Sequence, residues 1–486
     1  MFFSHEVMQE TWLYLITLLT LMITSATAIH ILLKKHDTHA ATGWLGLVWF
    51  TPVLGICLYW LFGVNRIHRR AKKRYLSRDT VLLPERNASA SLASVEEAVG
   101  PGDNGLVMLS RMAEKVIQQP LLRGNTIHPL VNGDQAYPCM LKAIAEAKQS
   151  ISLCSYILDN DSWGRKFRAA LKEAQREGAE VRVLLDGVGA RYSLPPITWQ
   201  LRRDNIPVAC FMQTILPWRF RYLNLRNHRK ILVVDGKTGF TGGMNIQARN
   251  VLGQNPRHPV QDVHFHLEGP IVADLQRAFA EDWGFTTGEK LTGPKWFPHI
   301  NEAGAGLARG IIDGPDEDYD KLRMIMLGAL ASARHSIQIA TPYFLPDSEL
   351  VSGLCVAALR GVEVQILLPS RPNLRMVKWA SDAGLPELLA AGCTVYQSDP
   401  PFDHSKIMIV DHAWVLLGSA NWDARSLRLN FEFNVECYDR DLSCSLQEIF
   451  DRKVGSAHHL LLSELTSRNL IITIRNKLFR LFSPYL

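Results

Sequence analysis

The sequence predicts an α/β protein of two similar halves, each a mixed sheet flanked by helices, preceded by an N-terminal two-helix transmembrane hairpin. Three observations predict it: two uncharged stretches within the first 64 residues, one order of strands and helices written twice, and one polar signature closing each copy. A length of 486 residues exceeds what a single core usually organises. With 47% apolar and 21% charged residues, the chain reads as globular with membrane segments and not as disordered. A net charge of +6 suits an anionic membrane surface or an anionic substrate, and alone does not separate lipid from nucleic acid.

Residues 11–33 carry no formal charge, enough to cross a bilayer at about 1.5 Å per residue. Residues 40–64 form a second uncharged stretch, rich in Trp and interrupted by Pro52 and Gly55, which membrane helices tolerate. Ala26-Thr27-Ala28 resembles a signal-peptide cleavage site, but the first ten residues hold Glu6 and Glu10 and no Lys or Arg, which favours the hairpin. Arg66, Arg69, Arg70, Lys72, Lys73 and Arg74 outweigh Lys34 and Lys35 between the spans, so the chain after residue 66 is expected on the cytoplasmic side of the membrane. The expected units are therefore a hairpin over 1–66, a basic juxtamembrane segment and linker over 67–125, and halves over 126–300 and 301–486.

The repeat defines the halves. In the first, a strand ending at Tyr156 is followed by a helix over 167–177, Gly178 and a strand over 180–186. In the second, a strand leading to Thr341-Pro342-Tyr343 is followed by a helix over 350–359, Gly361 and a strand over 362–368. Neither half carries a glycine pattern for nucleotide phosphates. The eight cysteines are scattered singly, which predicts buried free thiols and neither a zinc site nor a disulfide framework.

The signature is His228, Lys230, Asp235, Gly242 and Asn245 in the first copy, and His404, Lys406, Asp411, Gly418 and Asn421 in the second, at identical spacing. One His-x-Lys-x4-Asp arises by chance only at roughly the few-per-cent level, and two extended copies are far rarer. His and Lys two apart at the head of a β run project from one face of a strand. Asp235-Gly236 is a turn signal, so the next strand can return Gly242 and Asn245 beside them. The glycine leaves room for a ligand, while lysine and asparagine supply donors to phosphate oxygens. Paired imidazoles suit a two-step displacement, one attacking phosphorus and the other moving the proton of the leaving and incoming alcohols. No metal and no cofactor are demanded. Asp235 and Asp411 belong to the catalytic set by position, yet at a strand end they could equally fix the loop. The copies differ where Gly243 stands against Ser419, which removes a hydroxyl contact from the first half.

At these residues the chain resembles the phospholipase D superfamily, whose His-x-Lys-x4-Asp-x6-Gly-[Gly/Ser]-x-Asn pattern it matches twice, and within it the bacterial cardiolipin synthases. The shared features include residues 49–55, 130–137, 341–344, Asn421 to Ser426, Asn430 to Glu432 and the C-terminal 478–486. The resemblance implies phosphatidyl transfer between two phosphatidylglycerol molecules, giving cardiolipin and glycerol. It makes His228 the nucleophile and His404 the general acid and base, with Lys230, Lys406, Asn245 and Asn421 on phosphate. It also implies a downstream acid orienting each imidazole, for which Glu432 and Asp262 stand 28 and 34 residues after the histidine of their own half.

Two peripheral patterns have alternative readings. Trp218-Arg-Phe-Arg-Tyr222 interleaves rings with guanidinium groups, as a headgroup dock or a surface strand. Ile471, Ile474, Leu478, Leu481 and Phe482 share a helical face, which fits ordinary core packing or an interfacial helix. The competing functions are a phospholipase D hydrolase, a phosphatidyltransferase using another alcohol, and a nuclease. The hairpin and the lack of an extended basic stripe weigh against the last, so lipid and not nucleic acid is the expected partner.

Overall fold

The computed structural model describes residues 5–35, 38–63, 89–100, 103–212, 225–315 and 320–483. The aromatic segment 218–222, the basic cluster 66–74 and the last three residues lie outside the described residues.

The N-terminal unit holds one long helix, His5–Lys34, of which residues Glu10–Lys34 are long and apolar enough to cross a membrane. The second apolar stretch is not one continuous span. It forms Thr38–Phe50, then Pro52–Leu58 with a wide turn over Tyr59–Gly63. The break falls where Pro52 lacks an N–H for the helical ladder. The two stretches still pack on one another. Ile31, Ala41, Val48 and Tyr59 form a small buried cluster, and His30 Nδ1 lies 2.8 Å from the Tyr59 hydroxyl.

In the larger unit both halves share one continuous mixed sheet, and the strand order is the same read outward from its centre. In the first half the order runs Leu122–Val131, Val263–Glu268, Thr238–Gly242, Ile231–Val234, Ser150–Ser155, Glu180–Asp186 and Val208–Phe211. In the second it runs Gly306–Asp313, Asn430–Tyr438, Trp414–Gly418, Ile407–Val410, Ser336–Ala340, Glu363–Pro369 and Thr394–Ser398, with His458–Leu460 outermost. The central strands Leu122–Val131 and Gly306–Asp313 pair antiparallel across the join. Helices cover the sheet, among them Asn132–Glu146, Ser162–Arg176 and Val272–Thr287 in the first half and Lys321–Ser332, Ser348–Leu359 and Arg440–Val454 in the second. Continuous apolar runs such as Ile231–Val234 and Ile407–Val410 are buried throughout, as a sheet covered on both faces requires.

Among the described residues, from 89 onward, the stretch expected as a linker up to residue 125 is largely structured. Leu92–Val99 and Asn104–Ile117 are helices, and the first half's central strand already begins at Leu122. Leu106, Leu109, Ala113 and Ile117 repeat at helical spacing and bury against Leu322, Ile325, Met326 and Ala329 of the second half. The chain thus crosses the second half's core before building the first, and Arg309 fastens it by donating to the carbonyls of Ser110 and Gln119.

Candidate active site

Each motif histidine enters from a short bridge between the halves. Asn227 lies opposite Phe431, and Asp403 opposite Gln261, both pairs in parallel register. The histidine backbones are pinned there: His228 N donates to Phe431 O at 2.9 Å and His404 N to Gln261 O at 2.8 Å.

The orienting acids cross between halves. His228 Nδ1 lies 3.0 Å from both oxygens of Glu432, and His404 Nδ1 lies 2.9 Å from Asp262 Oδ2. The within-half pairing expected from chain distance is therefore corrected: each acid serves the histidine of the opposite half. The unequal offsets of 28 and 34 residues hide an equivalence of position. Gly242 pairs with His264 and Gly418 with Asn434, so Asp262 and Glu432 stand at matched places, two residues earlier on matched strands. The longer first-half loop, with its turns Ala248–Asn250 and Leu252–Gln254, absorbs the extra residues.

Both carboxylates are fully buried and held. Glu432 accepts from Ser419 Oγ at 2.5 Å and from Asn430 Nδ2 at 3.0 Å, while Asp262 Oδ1 accepts from Val263 N at 2.8 Å. Gly243, opposite Ser419 in the repeat, has no room for a side chain. A Cβ there would lie 2.8 Å from Asp262 Oδ1 and 2.9 Å from His404 O. Gly242 and Gly418 make room for the neighbouring strand and not for a ligand, since a Cβ would meet His264 Nδ1 at 2.8 Å in one and Phe433 O at 2.5 Å in the other.

Lys230 Nζ donates to His228 O and Lys406 Nζ to His404 O, each at 2.7 Å, and Lys406 Nζ also lies 3.1 Å from both ring nitrogens of His404. Burial lowers Lys230 to about 7 and Lys406 to about 8. Burial also lowers His228, against the pull of Glu432, and takes His404 down to about 4 with help from the Lys406 charge. Burial alone would raise Glu432, but His228, Lys230 and Ser419 together hold it below its ordinary value. The arrangement favours neutral imidazoles with a fixed tautomer: a carboxylate at Nδ1 leaves Nε2 to react.

Asn245 Oδ1 accepts from Ile157 N at 3.2 Å, which directs the other end of the amide elsewhere. Asn421 Nδ2 lies 3.3 Å from Asp423 Oδ2, and its buried Oδ1 has no partner among the described residues. Asp235 and Asp411 lie at the far ends of their strands. Asp235 accepts from the N–H groups of Lys148, Gln149 and Ser150, and Asp411 from those of Arg334, His335 and Ser336. They tie the motif hairpin to the strand beside it, and the structure does not bring them to the imidazoles.

The sequence reading gave no site role to Tyr156 and Tyr343, whose rings stand edge-on to His228 and His404 with centroids 5.3 and 6.4 Å apart. Each follows the strand beside its motif strand, but Tyr156 stands where the second half has Pro342 and Tyr343 comes one residue later, so the repeat register does not mark them as a pair.

Comparison with known proteins agrees with this architecture. The family described as "Cardiolipin synthase, PLD-like domain" matches residues 140–283 and 326–454, and "Phospholipase_D-nuclease N-terminal" matches residues 22–63. That N-terminal match, with the apolar first helix, marks membrane association. The chain is 32% identical to cardiolipin synthase of Geobacillus kaustophilus, over 94% of this chain and 91% of that one. It is 34% identical to cardiolipin synthase 2 of Bacillus cereus (93% and 88% covered) and 32% identical to the major cardiolipin synthase of Bacillus subtilis (93% and 95%). The crystal structure of phosphatidylserine synthase from Haemophilus influenzae shares the fold, with a TM-score of 0.62 over 78% of this chain and all of that one at 15% identity. With relatives matched over nearly its whole length, and a doubled domain match spanning more than half of it, the chain belongs to the cardiolipin synthase family of phospholipase D-like phosphatidyltransferases.

Proposed function

We propose that the protein transfers a phosphatidyl group from one phosphatidylglycerol to another, releasing glycerol, through a phosphatidyl-histidine intermediate. The observation that carries this reading is the crossed pair of imidazoles, each held at Nδ1 by a buried carboxylate of the other half. The names of the relatives support cardiolipin as product.

His228 Nε2, neutral, attacks the phosphorus of the first phosphatidylglycerol. The bond from phosphorus to the glycerol oxygen breaks, and His404 gives that oxygen its proton. Glycerol leaves. The second phosphatidylglycerol brings its terminal hydroxyl, His404 takes that proton, and the oxygen displaces His228 from phosphorus. Lys230 and Lys406 offset charge on the non-bridging oxygens, with Asn245 and Asn421 as further phosphate donors. Burial, with the charge of Lys406 beside the ring, holds His404 well below the ordinary histidine range. A bound phosphodiester draws that ammonium onto its oxygens and raises His404 toward the range of a proton donor.

The N-terminal helices anchor the enzyme as a multi-pass protein, with the catalytic unit on the cytoplasmic side. Mass spectrometry of products, with phosphatidylglycerol as sole lipid, tests the proposal. Cardiolipin and glycerol are expected; phosphatidic acid alone would replace it with hydrolysis. A lipid adduct trapped on His404 and never on His228 would reverse the two roles.

A further inference from the structure

The C-terminal helix Leu470–Leu481 is bound to the fold by one side only. Arg475 lies over the Trp379 ring at 4.2 Å, Phe479 meets the same ring at 5.0 Å, and Arg480 Nη1 donates to Ala383 O at 2.9 Å. The opposite side carries Ile471, Ile474, Leu478 and Leu481 at helical spacing, and it faces outward: Ile471 is 78% and Leu481 75% exposed. Residues 465–483 hold Arg468, Arg475, Lys477 and Arg480 and no Asp or Glu. The ordinary core packing weighed from sequence accounts for Phe479 and Asn476, not for this stripe.

The first half carries a counterpart. Residues 187–203 also lack any acid and contain Arg191, Arg202 and Arg203. There Leu194 is 90% and Trp199 64% exposed, with Tyr192 beside them. Single exposed apolar residues are unremarkable; two acid-free segments that each combine large apolar groups with cations are not.

Both segments connect to the imidazoles. Tyr192 lies 6.3 Å from the Tyr156 ring, which stands against His228. Phe479 packs in one apolar cluster with Tyr343, whose ring stands against His404. Through these rings each patch adjoins one of the two imidazoles, one patch from each half.

We propose that these two patches form a docking surface for an anionic phospholipid bilayer, seating the paired imidazoles at the headgroup layer. The charge pattern selects this occupant: apolar side chains enter the acyl boundary while cations beside them, Lys477 in the second half and the exposed Arg202 and Arg203 in the first, meet lipid phosphates; Arg468 is already paired with Asp382 at 2.7 Å. The dock places the catalytic unit on the membrane by its own surface, whichever alcohol accepts the phosphatidyl group.

The test uses the full-length protein and two forms of phosphatidylglycerol: long-chain lipid in vesicles, and dihexanoyl lipid dissolved below its micelle concentration. Ile474→Asp with Leu481→Asp, and separately Leu194→Asp, are expected to lower vesicle turnover about tenfold or more. Turnover of dissolved lipid should stay within about twofold of the parent. Lys477→Glu should weaken the dependence of vesicle turnover on anionic lipid content. A bimane on Ile474→Cys, with the exposed Cys57 and Cys444 changed to Ser, should be quenched by brominated phosphatidylglycerol. Equal loss on both substrates, unchanged vesicle turnover, an unquenched probe, or crosslinking of two copies through that cysteine would each overturn the proposal. The ratio of the two turnovers is read whether the product is cardiolipin or phosphatidic acid, so it stands or fails apart from the transfer reaction.

Discussion

The two halves repeat one strand order and one motif, yet they support that motif with different chemistry. Around His228 the acid is Glu432, reached by the Ser419 hydroxyl; around His404 it is the shorter Asp262, packed against Gly243. Beneath the histidines an ion pair is reversed. In the first half Arg229, next to His228, meets Asp282 on the covering helix at 2.8 Å. In the second, Asp403, next to His404, meets Lys453 on the covering helix at 2.7 Å. What stays the same is the His-Lys pair and the aspartate that caps three backbone N–H groups at the strand end. The difference teaches that the His-Lys pair is kept in both halves, whereas its supports need only satisfy burial and charge, and either polarity does so.

The largest test of this equivalence is removal of the imidazoles. His228→Ala and His404→Ala are each expected to lower transfer by about 10⁴-fold or more in a steady-state assay, because both steps need both rings. Normal turnover in either variant breaks the pairing.

Next come the crossed acids. Glu432→Gln and Asp262→Asn should each lower kcat by roughly 10²- to 10⁴-fold by releasing the tautomer of the histidine across the join. Loss of the Glu432 charge also removes what holds up the His228 pKa. The acid limb of the pH profile should then move to lower pH, whereas the limb would stay put if Glu432 served only the fold.

The parent enzyme's pH profile sharpens the contrast further. Burial lowers both imidazoles, so the neutral nucleophile persists below the ordinary histidine range and the acid limb should lie there. The lysines, held at about 7 and about 8, are charged only below those values, so kcat/KM should fall on the alkaline side, by about tenfold per pH unit once one lysine is lost and toward about a hundredfold once both are.

Smaller effects probe the supports. Gly243→Ser should destabilise the protein by about 1–3 kcal/mol in chemical denaturation, since its Cβ meets Asp262 and the His404 carbonyl; Ser419→Gly should cost only about 1 kcal/mol for the lost hydrogen bond. Asp235→Asn and Asp411→Asn should each cost about 1–2 kcal/mol of stability while turnover per folded molecule is kept. A large loss of turnover at full stability would return those aspartates to the chemistry.

What was legible in the sequence was local. The twofold spacing of His and Lys, the Asp-Gly turn and the alternation of strand and helix follow from backbone geometry within a few residues. The apolar first helix follows from hydropathy alone. The helix Asn104–Ile117 was also legible in the spacing of Leu106, Leu109, Ala113 and Ile117, but the Gly-Pro-Gly beside it weighed toward a linker. The break at Pro52 was visible as a residue, and its consequence for the second span was not.

By itself the sequence determined the repeat, the paired His-Lys-Asp motif and the alternation of strand and helix, because each is written in local spacing along the chain. Only the tertiary structure decided that each histidine takes its acid from the other half, that the glycines serve strand packing, and that two acid-free segments each reach a tyrosine beside an imidazole. Those depend on register between strands far apart in the chain, set by burial across the whole sheet and encoded in no local spacing.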